Sequence, residues 1–283
     1  MSVDYGVTSM VAPLKRVAVR PPSPRGDYSK AHWAQPLDLD LLATQHADFV
    51  ALLTSLGVGI EILHPADDMP DAIFTYDPVF VVPSGVIEFQ GAKEVRVGEP
   101  PLLAAELEGL GVPRVGQLTG AATADGGDMF WLDNTTLAIG RSYRTNQAAV
   151  DQIRAMVSAD GINVEVFDLP HDQGPEYCLH LMSVVSPIRD DLAVVFERLA
   201  PVALLQALAV RGIETISVPD EDYESLGCNV LTVAPGVVVI AEGNESTATL
   251  LRNHGVSVHT YNASEINKGE GGPTCLTRPI HRA

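Results

Sequence analysis

A single thiol, Cys275, stands eight residues from the end of the 283-residue sequence, directly behind Gly-Glu-Gly-Gly-Pro-Thr. Glycines so closely spaced let a backbone take positive φ or approach a neighbour closely, which suits a loop that presents a sulfur. On its own residues the segment reads equally as a flexible end with an incidental cysteine. The rest of the chain decides by supplying partners or not. His180 lies in Cys-Leu-His-Leu-Met-Ser-Val-Val-Ser, a strand-like run in which a buried imidazole needs a hydrogen-bond partner. Alone it is a core histidine; beside a thiol it is a proton-transfer partner for a nucleophile. Asp77, in Pro-Asp-Ala-Ile-Phe-Thr-Tyr-Asp-Pro, and Asp125, in Ala-Asp-Gly-Gly-Asp, occur in ordinary turn chemistry. Aimed into one pocket, two such carboxylates would hold a planar cation by paired hydrogen bonds, and a guanidinium or amidinium has that shape.

Two arginines have the chemistry to bind the carboxylate of an amino-acid substrate. Arg144, in Tyr-Arg-Thr-Asn-Gln, precedes a helix for which Thr145 or Asn146 is the N-cap. Arg96, in Lys-Glu-Val-Arg-Val-Gly-Glu, alternates like an exposed edge strand, where solvation is its ordinary fate. A zinc site drawing on Cys178, His180, Cys228 and Cys275 is the rival use of the sulfurs, but none of their spacings gives the close ligand pairs of structural zinc sites.

The elements that must position these groups show a repeat. Gly57, Gly111, Gly161, Gly212 and Gly255 each end an apolar helix-like segment and open an alternating strand-like one, at intervals of 54, 50, 51 and 43 residues. Leu103, Leu107 and Leu110 before Gly111, and Val150, Ile153 and Val157 before Gly161, fall at helical spacing. Ile162, Val164 and Val166, and Val256 and Val258, alternate as a strand does after a helix C-cap glycine. One supersecondary unit used five times in a closed ring accounts for this; a doubly wound α/β sheet is the alternative, without a phosphate-binding glycine fingerprint to favour it. Counting from the glycines, Asp77 comes 20 residues after the first, Asp125 and Asp128 14 and 17 after the second, and His180 19 after the third. Asn229 and Cys275 follow the last two by 17 and 20. Equivalent positions in a ring converge, so these side chains are expected to meet in one central pocket. Pro21 to Pro24 reads as a loop.

Composition bounds the partners. A formal charge of −18 argues against nucleic acid or an anionic membrane and favours a cationic ligand. Three widely spaced cysteines suit reduced thiols, hence a cytoplasmic location, better than a disulfide framework. The first residues carry no basic stretch leading into an apolar run, and no apolar stretch is long enough to span a bilayer, so a soluble protein is expected.

In combination the motifs resemble the guanidine-modifying superfamily, the five-bladed α/β propellers called penteins, and most closely the dimethylarginine dimethylaminohydrolases. The resemblance runs from about Pro70 to Cys275. It rests on Pro-Asp-x-x-Phe-x-x-Asp-Pro with Asp71 and Asp77, Asp-Gly-Gly-Asp with Asp125, Arg-Thr-Asn-Gln with Arg144, Leu-His-Leu with His180, and the glycine-rich approach to Cys275, in the family's order. Arg96 falls where the family places an arginine for the substrate carboxylate. Tyr76 stands where relatives commonly carry a glutamate, and Asp125 where many carry Glu. The resemblance implies a pentein of pseudo-fivefold ββαβ-type units, residues 1–283 forming one catalytic domain. It also implies a hydrolase of an arginine-like guanidino compound that needs no metal or organic cofactor. Cys275 would attack the guanidinium carbon, with Asp77, Asp125 and His180 around it and Asp71, Tyr76, Arg96 and Arg144 binding substrate. The product would be a ureido compound such as citrulline. Arginine deiminases, usually longer through an inserted helical segment, and amidinotransferases are the enzymatic alternatives, and a non-catalytic binder of arginine-like metabolites is the alternative of another class. A homo-oligomer is compatible with all of these.

Overall fold

The computed structural model describes residues 4–175, 177 and 179–283. Its strands form five separate three-stranded sheets of one topology. In the second, β3 (Val79–Val82) and β4 (Gly85–Glu88) pair antiparallel, and α2 (Glu99–Gly109) carries the chain over to β5 (Arg114–Gln117), parallel to β4. β6 (Met129–Asp133), β7 (Thr136–Arg141), α3 (Gln147–Val157) and β8 (Asn163–Asp168) repeat it. After the short α4 (Leu181–Val184) come β9 (Val185–Arg189), β10 (Leu192–Val195), α5 (Val202–Val210) and β11 (Glu214–Ser217). After α6 (Asp220–Tyr223) come β12 (Leu231–Ala234), β13 (Val237–Ala241), α7 (Glu245–Asn253) and β14 (Ser257–Tyr261). The first sheet is completed from both ends of the sequence. β1 (Leu14–Val19) runs through α1 (Leu39–Ser55) to the parallel β2 (Gly59–Ile62), while β15 (Arg278–Arg282) supplies the antiparallel partner of β1. The frayed-tail reading of the Cys275 segment is thereby corrected: the chain leaves it as a buried, paired strand.

The repeat glycines do what their spacing implied. Gly57, Gly111, Gly161, Gly212 and Gly255 have φ of 84°, 88°, 73°, 71° and 75°. A Cβ built on any of them meets nothing within 4 Å, so the left-handed turn after the helix, and not crowding, demands glycine there. α3 shows how such a helix is made. Asn146 caps its first turn by accepting the Ala149 N–H at 3.0 Å, and Ala149, Val150, Ile153 and Val157 bury one face. Each such helix is the crossover that a parallel strand pair requires.

Burial gives each sheet a direction. The first strands β3, β6, β9, β12 and β15 are mostly buried, whereas β2, β5, β8, β11 and β14 are partly exposed. The first strands also meet neighbouring units: β15 lies against β3, and β12 against β9 and β1. These inner strands carry the site. Asp77, Asp125, His180, Asn229 and Cys275 each stand a few residues ahead of one of them, on the segments leading into Val79, Met129, Val185, Leu231 and Arg278. No helix among the described residues is long and apolar enough to cross a membrane.

Candidate active site

The five approach segments line one cavity of about 650 Å3, and Asp77, Asp125, His180, Asn229 and Cys275 all face it. Among the sequence candidates, Asp71, Tyr76, Arg96 and Arg144 also line it, whereas Asp128 does not. Cys178 lies outside the described residues.

Cys275 follows a loop whose glycines are required by contact. A Cβ on Gly271 would stand 2.2 Å from the Phe74 ring, and one on Gly272 2.6 Å from Cγ of Asn229. The one left-handed residue here is Glu270, at φ 60°. The Cys275 carbonyl accepts the Tyr76 N–H at 3.1 Å, and its Sγ accepts Nδ2 of Asn229 at 3.1 Å. Burial, and then the negative charge of Asp77, push the thiol up to about 11, against smaller opposing effects that include Asn229 and His180. Cys228 is buried and raised to about 12 by the same desolvation, and its carbonyl serves Ser186, so it is a core sulfur.

His180 does not lie in a strand, as its flanks suggested. It is the residue before α4, its backbone N–H donating to Oγ of Ser183 at 3.0 Å. The imidazole Nε2 faces Oδ2 of Asp125 at 3.2 Å. The Gly-Gly after Asp125 permits this: a Cβ on Gly127 would meet Nδ1 of His180 at 2.3 Å, and one on Gly126 the Tyr76 carbonyl at 2.1 Å. Asp128, expected among the converging residues, instead accepts the Leu181 N–H at 3.0 Å and the Ser142 hydroxyl at 2.6 Å. It fixes the helix start that aims His180, and burial raises its carboxyl to about 6.

Asp77 accepts the Gly127 N–H at 2.9 Å on one oxygen and Nη1 of Arg96 at 2.7 Å on the other. Burial disfavours its charge, but Arg96, His180 and these hydrogen bonds outweigh burial and hold it below the usual carboxylate range. Arg96 corrects the edge-strand reading. It ends a 3-10 turn, Glu94–Arg96, is buried, and pairs with Glu99 at 2.8 Å as well as with Asp77. Burial raises the Glu99 carboxyl to about 7 despite the pairing. Asp71 is held through both oxygens, by the Trp33 indole at 2.7 Å and Lys93 at 2.6 Å. Tyr76 lines the cavity with its phenol buried: the hydroxyl donates to the Met129 carbonyl at 3.1 Å, and the Arg278 guanidinium sits 4.2 Å over its ring. Arg144 has its Nε buried without a partner among the described residues, at the wall of the cavity.

Sequence reasoning gave no role to Asn229, Asp128, Glu99 or Trp33. Asn229 and Asp128 carried a signal through their places in the repeat count, whereas Glu99 and Trp33 carried none.

Five like sheets thus bring a thiol, an imidazole and carboxylates to one cavity. The chain belongs to the arginine deiminase family, whose model matches residues 61–211 and 200–282. It is 26% identical over 239 residues to the uncharacterized protein YkgA of Bacillus subtilis (strain 168), covering 84% of this chain and 79% of that protein. It is 26% identical over 256 residues to the arginine deiminase of Pediococcus pentosaceus, covering 76% of this chain but only 62% of that enzyme. Among solved structures it is similar to a DDAH from Pseudomonas aeruginosa complexed with citrulline, with a TM-score of 0.79, 20% identity, and coverage of 95% and 100% of the two chains. It is also similar to the N-terminal domain of ArgZ, an arginine dihydrolase from cyanobacteria, with a TM-score of 0.81, 18% identity, and coverage of 94% and 97%. At such identities the likeness establishes the fold.

Proposed function

We propose that the protein is a hydrolase of a guanidino compound, dimethylargininase-like in its compact form, working through a covalent adduct on Cys275. One observation carries the reading: Cys275, His180, Asp125 and Asp77 line one cavity, with the imidazole on the Asp125 carboxylate. On this reading residues 1–283 act as one catalytic domain, the five sheets close as propeller blades around the cavity, and the free thiol suits a reducing cytoplasm.

The carboxylates of Asp77 and Asp125 take the guanidinium nitrogens and hold the central carbon before the sulfur. The raised thiol has a consequence for order of events. A cation bound beside it favours thiolate, so substrate binding comes first and supplies the activation. The thiol proton passes to His180 as the S–C bond forms, His180 gives it on to the departing amine, and the C–N bond breaks. Water then gives a proton to His180 and attacks the same carbon; the new C–O bond replaces S–C and a ureido product leaves. Arg144, whose Nε has no partner among the described residues, suits a substrate carboxylate, whereas Arg96 is already committed to Asp77 and Glu99. Deimination of arginine itself is the second reading, favoured by the deiminase relatives.

A panel of arginine, monomethylarginine, dimethylarginine, agmatine and guanidino acids, scored for ureido product and released amine, tests the proposal. Cys275→Ser should bring turnover to background while substrate still binds. Retained turnover in that variant, or transfer of label from arginine to an added amine, overturns the hydrolase reading.

A further inference from the structure

Asn229 comes from the fourth approach segment and Cys275 from the fifth, 46 residues apart, yet the Asn229 amide is joined to the Cys275 loop twice. The amide Nδ2 donates to Sγ at 3.1 Å, and Oδ1 accepts the backbone N–H of Thr274 at 3.0 Å. The second bond fixes the first. An N–H can meet only the amide oxygen, so the NH2 group must face the sulfur, and the orientation of Asn229 follows from the network. Its own backbone is held as well, its N–H donating to the Leu226 carbonyl at 2.9 Å. Gly272 belongs to the same assembly, because a Cβ there would lie 2.6 Å from Cγ of Asn229.

We propose that Asn229 is the positioning residue of the nucleophile: it anchors the Cys275 loop through the Thr274 N–H and, through Nδ2, stabilises the thiolate at the moment it forms. The inference rests on Cys275 being the nucleophile. A neutral amide suits this place. It donates to sulfur in both protonation states and adds no charge to compete with a cationic substrate, whereas a lysine there would repel a guanidinium. The donor strengthens as charge builds on sulfur, since hydrogen bonds to ionised acceptors are the stronger ones. It therefore acts on the attacking and resolving steps more than on binding. The other titratable groups that act on the sulfur are Asp77 and His180, and the phenols of Tyr76 and Tyr261 sense its charge.

Asn229→Asp tests this, because it keeps Oδ1 for Thr274 and exchanges the donor for a charged acceptor. The rate of iodoacetamide alkylation at Cys275, followed by peptide mass, is measured against pH in the free enzyme. The midpoint should move upward by about one pH unit or more, as expected when a thiolate loses a donor and gains a nearby anion. Turnover should fall at least about tenfold with KM changed by less than about threefold, a loss made in the transition state. Asn229→Ala provides a second variant without added charge, and should move the midpoint the same way by less. An unchanged midpoint in either folded variant overturns the proposal. The alkylation profile needs no substrate, so this result stands apart from the outcome of the substrate panel.

Discussion

A thiol raised to about 11 is a poor nucleophile at neutral pH, and the cause lies in burial and in the Asp77 charge beside it. Two reagents separate this from ordinary cysteine reactivity. A neutral iodoacetamide should label Cys275 slowly at pH 7 and faster as pH rises toward 11. A chloroacetamidine, whose cation occupies the carboxylates, should label it at least about a hundredfold faster at pH 7, by supplying the missing charge and the orientation together. Equal rates for the two would mean that the carboxylates do not act on the sulfur. Asp77, Asp125 and Cys275 were legible as cavity residues because each sits in a short motif whose turn residues mark it: Asp-Pro, Asp-Gly-Gly, and the glycines before Cys275. Arg96 was not. Its alternating neighbours imitate a strand, while its burial is set by Asp77, which stands 19 residues away in sequence. Tyr76 likewise stands in a recognisable motif, yet only packing against Arg278 shows that its ring belongs to the core.

At the scale of elements, the start of α4 and the Gly126–Asp128 turn together set the imidazole. Gly127→Ala puts a methyl 2.3 Å from Nδ1 of His180, so the ring must move. A displacement of about 1 Å costs on the order of a hundredfold in rate. That loss should appear in kcat while the melting temperature stays within a few degrees. α1 carries a different vulnerability. His46 is buried with Nε2 unpartnered among the described residues, and burial lowers its pKa to about 4 from an ordinary 6.5. Between these values the unfolded chain binds the proton and the folded one refuses it. Stability is then complete above pH 6.5 and lost as pH falls toward 4, by about 3 kcal/mol in all. Denaturant titrations of His46→Leu should lack this part of the pH dependence; a parallel loss in both proteins would assign it elsewhere. The helices themselves were readable, since a C-terminal glycine in the left-handed region is demanded by local geometry alone. The strand misread at His180 has the converse origin: Asp128, from another unit, accepts the Leu181 N–H and makes that residue begin a helix.

Over the whole molecule, a formal charge of −18 surrounds a cavity meant on this reading for a cation. Charge of that size steers oppositely charged ligands and is screened by salt. The kcat/KM for a cationic guanidine should fall as ionic strength rises from about 0.01 to 0.3 M, most clearly if capture limits the rate, while inhibition by a neutral ureido product should change little. A flat salt profile would place the excess charge away from the approach path. The repeat was visible as periodicity, but the closing of the first sheet by β15 was not, because no local signal joins residues so far apart in sequence. That strand pairing ties the cavity to the first sheet: parting β15 from β1 would release the loop that holds Cys275 against Asn229, so the sheet and the setting of the sulfur should be lost together.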